Sequence, residues 1–317
     1  MKSFIRSVAI FIFLLVSFNI LGILVIPPTA YVSNSLLSGK IKKDSLLRNT
    51  PSPRVILIGG SNVSFGIDSY TIKDSLKITP VNTAIHAGIG LMYMLSHTIP
   101  FVKKGDIVII SPEYEQYYGN LFLGSDELVR TIFDVSKSDY KYLTFDQWVH
   151  LTPYIIQYGY SKYNLRNLYF KRIPIYSPSD SVYLKSSFDK FGDATVHWKL
   201  KGITVPPEDI KNKGDQFNFD VIKQLKAFQA AAQQKGAIVY ITYPGLQSSS
   251  FAKSVGQINQ VSYELKKANF KLLGNPYQYR IPDSLCFDTK YHLIKKGVDM
   301  RTKLLIHDLK SSLAYNK

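Results

Sequence analysis

At 317 residues, with 45% hydrophobic and 20% charged positions, the chain has an ordinary globular composition, which excludes a disordered polymer and leaves room for one α/β domain with a sizeable insertion rather than two full domains. Its net charge of +16 suits anionic headgroups or an anionic surface polymer, or else is a solvated basic surface, and the singly scattered lysines argue against nucleic acid. A single cysteine, Cys286, excludes an internal disulfide and a cysteine-rich metal site.

Residues 1–6 carry Lys2 and Arg6, and the run 7–26 that follows has no charge and only Ser7, Ser17 and Asn19 as polar interruptions. About 20 such residues cross a hydrocarbon core. The run leads into Pro27-Pro28 without a small-residue cleavage site, so it reads as an uncleaved anchor rather than a cleaved signal peptide. The next cations are Lys40, Lys42 and Lys43, so the positive-inside bias favours a cytoplasmic N-terminus with the rest of the chain outside. Residues 27–53, rich in Ser, Lys and Pro without a sustained period, are expected to form a stalk, and the domain to run over 54–317.

Arg54-Val-Ile-Leu-Ile-Gly-Gly is a short apolar run ending in glycines, the pattern of a buried parallel strand entering a tight turn. Further runs at 78–82, 106–111, 237–243 and 270–273 are predicted strands. Apolar Val221, Leu225, Phe228 and Ala232 mark a helix over 217–235 that stops at Gly236, and a last amphipathic helix reaches to about Leu313. Strands alternating with helices predict a mainly parallel sheet covered on both faces. At about 113–215 the alternation breaks for an insertion holding 12 of the 22 tyrosines. Tyr114, Tyr117, Tyr118, Tyr154, Tyr158, Tyr160 and Tyr163 either line a groove suited to sugar rings or pack the insertion onto the sheet.

Gly59-Gly60-Ser61-Asn62 follows the first strand, so Ser61 falls where open α/β sheets place their ligands, with helix-start N–H groups at hand for an oxyanion. The same pattern also fits a helix N-cap, while a phosphate loop would need a lysine that is missing. Near the C-terminus, Asp288-Thr-Lys-Tyr-His292 sits in a loop before the final helix, where a histidine oriented by a carboxylate can take a serine's proton. No His, Cys, Asp or Glu grouping has ligand spacing, so no metal or organic cofactor is expected.

Together these blocks resemble the SGNH (GDSL-like) hydrolases, and in particular their membrane-anchored branch associated with acylation of cell-surface polysaccharides. The resemblance covers residues 54–110 and 216–313 and omits the insertion. It implies a flavodoxin-like three-layer sheet with Ser61 as nucleophile, His292 as base and Asp288 orienting it. Asn82-Thr-Ala-Ile-His-Ala-Gly88-Ile-Gly90 resembles the second block, which implies Gly88 as an oxyanion donor, with Gly90 in reserve. Three departures stand out: Gly60 replaces the usual Asp, the last block is Asp-x-x-x-His, and Ser111-Pro112-Glu113-Tyr114-Glu115 lacks the third block's asparagine. Asn62, Asn120 or a donor from the insertion are the candidate substitutes, and Glu113, Tyr114 and Tyr117 are candidate substrate contacts. The function implied is a serine esterase or O-acyltransferase acting on a surface glycan, with the lipid bilayer and a membrane acyl-donor protein as partners. The alternative is a glycan-binding or assembly protein that keeps the fold.

Overall fold

The computed structural model describes residues 1–28, 30–164, 178–211 and 214–315. Five parallel strands form the main sheet: β1 (Arg54–Gly59), β2 (Thr79–Asn82), β3 (Ile107–Ser111), β4 (Ile238–Thr242) and, after a two-residue β5 (Leu246–Gln247), β6 (Leu272–Leu273). Their order is β2-β1-β3-β4-β6, and β5 pairs separately with β7 (Arg280–Ile281). The five main strands fall within a residue or two of the predicted runs. Side chains alternate across the sheet, so each strand feeds two cores. Ile56, Ile58, Val108, Ile110, Val239 and Ile241 pack on one face, while Val55, Leu57, Ile107, Ile109 and Tyr240 pack on the other. Continuous apolar runs are what a parallel sheet covered on both sides requires.

The described helices include α1 (Lys2–Val25), α2 (Lys40–Asn49), α3 (Ser61–Ser64), α4 (Ser69–Leu76), α5 (Leu91–Thr98), α6 (Phe145–Ser161), α7 (Phe219–Gln234), α8 (Val255–Lys267) and α9 (Lys295–Tyr315). Leu91 and Leu95 of α5, Val221 and Leu225 of α7, and Val261 and Leu265 of α8 close the first face. Ile72 of α4 and Leu305 and Leu309 of α9 close the second. Helix α1, with 24 residues and little of its surface buried, is the one described helix long and apolar enough to cross a membrane.

Residues 36–49, expected to belong to a loose stalk, are docked on the domain. The turn Leu36–Gly39 is largely buried, and α2 buries Lys40, Lys43 and Leu47, at i, i+3 and i+7. Lysines occupy two of the three inward positions, which is why no apolar period was visible. Lys43 donates to the Gly192 carbonyl at 2.6 Å, to Ser64 Oγ at 3.3 Å and to the Ala84 carbonyl. Burial pushes its pKa down against the pull of Asp193 and Asp189.

The expected insertion includes residues 165–177 and 212–213, which lie outside the described residues. Its described part adds no strand to the five-stranded sheet. It contains α6 and short helical turns around a second core that includes Leu128, Ile132, Leu151, Tyr158 and Phe188.

Candidate active site

The site begins with strand register. Gly59 pairs with Ser111 at the carboxyl ends of β1 and β3, and Leu57 pairs with Asn82 of β2 on the other side. Neighbouring strands diverge from β1 in opposite directions in the chain, and in such sheets ligands bind at this reversal. Ser61 and Glu113, each two residues beyond its paired strand end, are thereby brought face to face.

Ser61 Oγ donates to Glu113 Oε1 at 3.2 Å, and the Asn62 N–H donates to the same oxygen at 3.0 Å. Glu113 is buried and precedes a 3-10 turn at Tyr114–Tyr117, with its N–H donating to Gln116 Oε1 at 3.1 Å. Gly60 is required beside it, because a Cβ there would meet Glu113 Oε1 at 2.6 Å and Ala87 Cα at 2.9 Å. Beneath the turn lies the buried Arg301 of α9, which donates to Asn62 Oδ1 at 2.8 Å, to Ser111 Oγ at 3.0 Å and to the Asn62 carbonyl. Burial pushes the Arg301 pKa down to about 10, opposed by the charges of Tyr279, Glu113 and Tyr114.

The loop 287–292 is pinned by an antiparallel bridge between Cys286 and Leu293 and by the Phe287 N–H on the His292 carbonyl at 2.7 Å. Thr289 Oγ1 accepts the His292 N–H at 3.1 Å. His292 Nδ1 lies 2.8 Å from Asp288 Oδ1, which assigns the ring proton to Nδ1 and leaves Nε2 as the basic nitrogen. Tyr183 donates to Asp288 Oδ2, and its hydroxyl is 3.1 Å from His292 Nδ1. Burial works to raise the Asp288 pKa, but the hydrogen bond and charge of His292 and the Tyr183 hydroxyl overcome it and hold the carboxyl below its usual range.

The two halves meet through Phe65. Its N–H closes the turn on the Ser61 carbonyl at 2.8 Å, and its ring stacks on His292 with centroids 4.3 Å apart and planes 16° from parallel. The His292 ring is therefore on the turn that starts at Ser61, although no hydrogen bond joins the two side chains.

The Gly88 N–H donates to His86 Nδ1 at 3.1 Å and the Gly90 N–H to the Ala87 carbonyl at 2.9 Å, so both expected oxyanion donors are engaged within their own loop. Tyr114 and Tyr117 are buried in the main core and offer no face to a ligand, which corrects the groove reading for both. Their hydroxyl-bearing rings serve as core because the insertion folds back on the sheet through them. Tyr118 and Tyr154 line a cleft of about 460 Å3 with Glu115, His150 and Lys290. Glu115 binds Lys290 at 2.8 Å and accepts from Tyr291 at 2.7 Å. Burial raises its pKa, Lys290 opposes this and Glu113 adds to it.

Asp44, His97 and Asp139 bring three ligand atoms within 4.8 Å of one another. The Lys40 ammonium already sits among them, 2.7 Å from Asp139 and 3.1 Å from His97, so a metal ion would have to displace it.

Sequence reasoning missed Tyr183, Phe65 and Arg301. Arg301 left a signal, because it occupies the inward stripe of α9 with Val298 and Leu305. A cation at such a position needs a buried acceptor. No family model, curated protein or solved structure matches the chain.

Proposed function

We propose that the chain is a membrane-anchored serine esterase or O-acyltransferase of SGNH-like type, acting on the acyl, foremost acetyl, groups of a cell-surface glycan, with the N-terminus cytoplasmic and the domain outside. The observation that carries this reading is the Asp288–His292 pair stacked through Phe65 on the turn that begins at Ser61. The strand order β2-β1-β3-β4-β6 supports the flavodoxin-like arrangement this type of enzyme uses.

In this reading Ser61 Oγ attacks the acyl carbonyl and His292 Nε2 takes its proton. Asp288 holds the ring and balances the imidazolium. Collapse of the tetrahedral intermediate expels the donor alcohol, which takes the proton back from His292. Water or a glycan hydroxyl then resolves the acyl-serine by the reverse sequence. The Ser61 and Asn62 N–H groups face the developing oxyanion once the Glu113 carboxylate gives up the Asn62 N–H.

A second reading, a glycan-binding or assembly protein that retains the fold, is favoured by the Glu113 carboxylate, which holds both the Ser61 hydroxyl and the Asn62 N–H. Steady-state kinetics of the full chain in detergent separate the two. An enzyme loses nearly all turnover of an activated acetyl ester in Ser61→Ala and in His292→Ala, and the double variant costs little more, because members of one catalytic unit act non-additively. A folded wild type that turns over no acyl ester and transfers no acetyl group to any glycan tested would leave the binder.

A further inference from the structure

Helix α6 is apolar on two opposite sides. Gln147, Leu151 and Tyr158 form its buried stripe. At 3.6 residues per turn, Phe145, Val149, Ile156 and Tyr160 fall on one line almost diametrically across from it. Their exposures are 80%, 57%, 48% and 37%. A surface helix on a water-soluble domain carries its polar residues on that side, and one that is apolar there needs a second apolar medium.

The neighbouring element says which medium. Asn19 of α1 donates to the Ile156 carbonyl at 2.7 Å, and Tyr160 and Tyr163 donate to the carbonyls of Leu15 and Phe18 at 3.2 and 2.6 Å. Phe18 and Tyr163 stack with centroids 3.9 Å apart. These contacts begin at Leu15, near the middle of the apolar run 7–26, and continue through Phe18 and Asn19, while α1 before them keeps its large side chains exposed. Once α1 is in lipid, the C-terminal half of α6 is held at lipid depth beside it. The tyrosine hydroxyls, costly to bury in hydrocarbon without a partner, have partners on α1.

We propose that α6 lies against α1 within the outer leaflet, with the Phe145, Val149, Ile156 and Tyr160 stripe in contact with lipid. The domain is then fixed on the bilayer surface instead of hanging from a flexible tether. Amphipathic helices that meet a bilayer turn their apolar face to the acyl chains, with aromatic side chains enriched toward the headgroup boundary. His150 and Tyr154, on the flank of α6 between its two apolar stripes, line the cleft that also contains Glu115 and Lys290, so that cleft opens beside the membrane. The inference rests on α1 spanning the membrane and is independent of the esterase reading.

The test uses the full chain, one copy per phosphatidylcholine nanodisc, with bimane attached to single introduced cysteines. Native Cys286 is buried and its thiol pushed up to about 12, which keeps it unlabelled. Probes are placed by Val149→Cys and Ile156→Cys on the stripe, Leu14→Cys on α1 and Tyr277→Cys on the exposed domain surface. Nitroxide carried on the lipid acyl chain is expected to quench the probes at positions 149, 156 and 14 at least two-fold and to spare position 277, with aqueous iodide showing the reverse. Iodide quenching at 149 and 156 with lipid quenching retained at 14 would overturn the proposal and leave α1 as a simple tether. Absence of lipid quenching at 14 would remove the membrane span and the proposal together. Shielding of 149 and 156 from both quenchers would also overturn it, by showing that protein covers the stripe.

Discussion

The Ser61 hydroxyl donates to the Glu113 carboxylate at 3.2 Å, and the N–H of Asn62 shares the same acceptor oxygen. In the proposed esterase both donors belong to the turn that receives the acyl group, so the carboxylate occupies the place where negative charge would develop. The pairing follows from the match of Gly59 with Ser111 across β1 and β3. It leaves the Ser61 hydroxyl and the Asn62 N–H both hydrogen-bonded within the protein.

Glu113→Gln keeps the shape and removes the charge. It is expected to raise kcat on an activated acetyl ester about ten-fold, since a unit charge about 5 Å from an oxyanion costs roughly 3 kcal/mol at an effective dielectric of about 20, part of which relaxation recovers. The check is a side-by-side pH–rate profile. A variant as inactive as Ser61→Ala would instead make Glu113 a base acting on Ser61.

The strands and α7 were legible because their signals are apolar runs and periods that burial enforces. Helix α2 was not, since Lys40 and Lys43 take the positions where apolar residues would have marked its inner face. Asp288 and His292 could be paired by proximity in the chain. The acceptor for Ser61 depended on strand register, and Tyr183 reaches Asp288 from 105 residues away with no periodic mark. For Tyr114 and Tyr117 composition left groove and packing open, and the fold uses their rings as core.

Acid sensitivity should carry the signature of His197. It is buried, with Nε2 at 3.2 Å from the Phe65 carbonyl, and burial together with the nearby His292 pushes its pKa down to about 4. In the unfolded chain the imidazole titrates near 6.5. Between those values the unfolded state binds the extra proton, so stability falls as pH drops through that window and levels off below about 4, with a total loss on the order of 3 kcal/mol. Unfolding midpoints of the full chain at fixed detergent should decline from pH 7 to 4.5 in wild type and much less in His197→Gln. Equal declines would assign the effect to other groups.

Arg301 anchors the Ser61 turn from below. Arg301→Leu removes the donor to Ser111 Oγ and to the Asn62 carbonyl, leaves Asn62 Oδ1 with only the Ser111 hydroxyl at 3.3 Å, and is expected to cost about 3 to 5 kcal/mol. Arg301→Lys keeps the charge but not the fork, and should fall between wild type and the leucine variant. Thermal melts read this directly. A loss below about 1 kcal/mol for Arg301→Leu, the scale of a single ordinary hydrogen bond, would show that the turn holds itself.

The central claim is that Ser61 is a nucleophile activated by His292, and covalent labelling tests it without knowledge of the substrate. Full-length protein in detergent, treated with a fluorophosphonate and read by intact mass, is expected to gain one adduct, mapped to Ser61. Ser61→Ala should gain none, and His292→Ala should react about 100-fold more slowly, the scale of a general base's contribution. A folded wild type that stays unlabelled, or a Ser61→Ala variant that labels as fast as wild type, would contradict the claim.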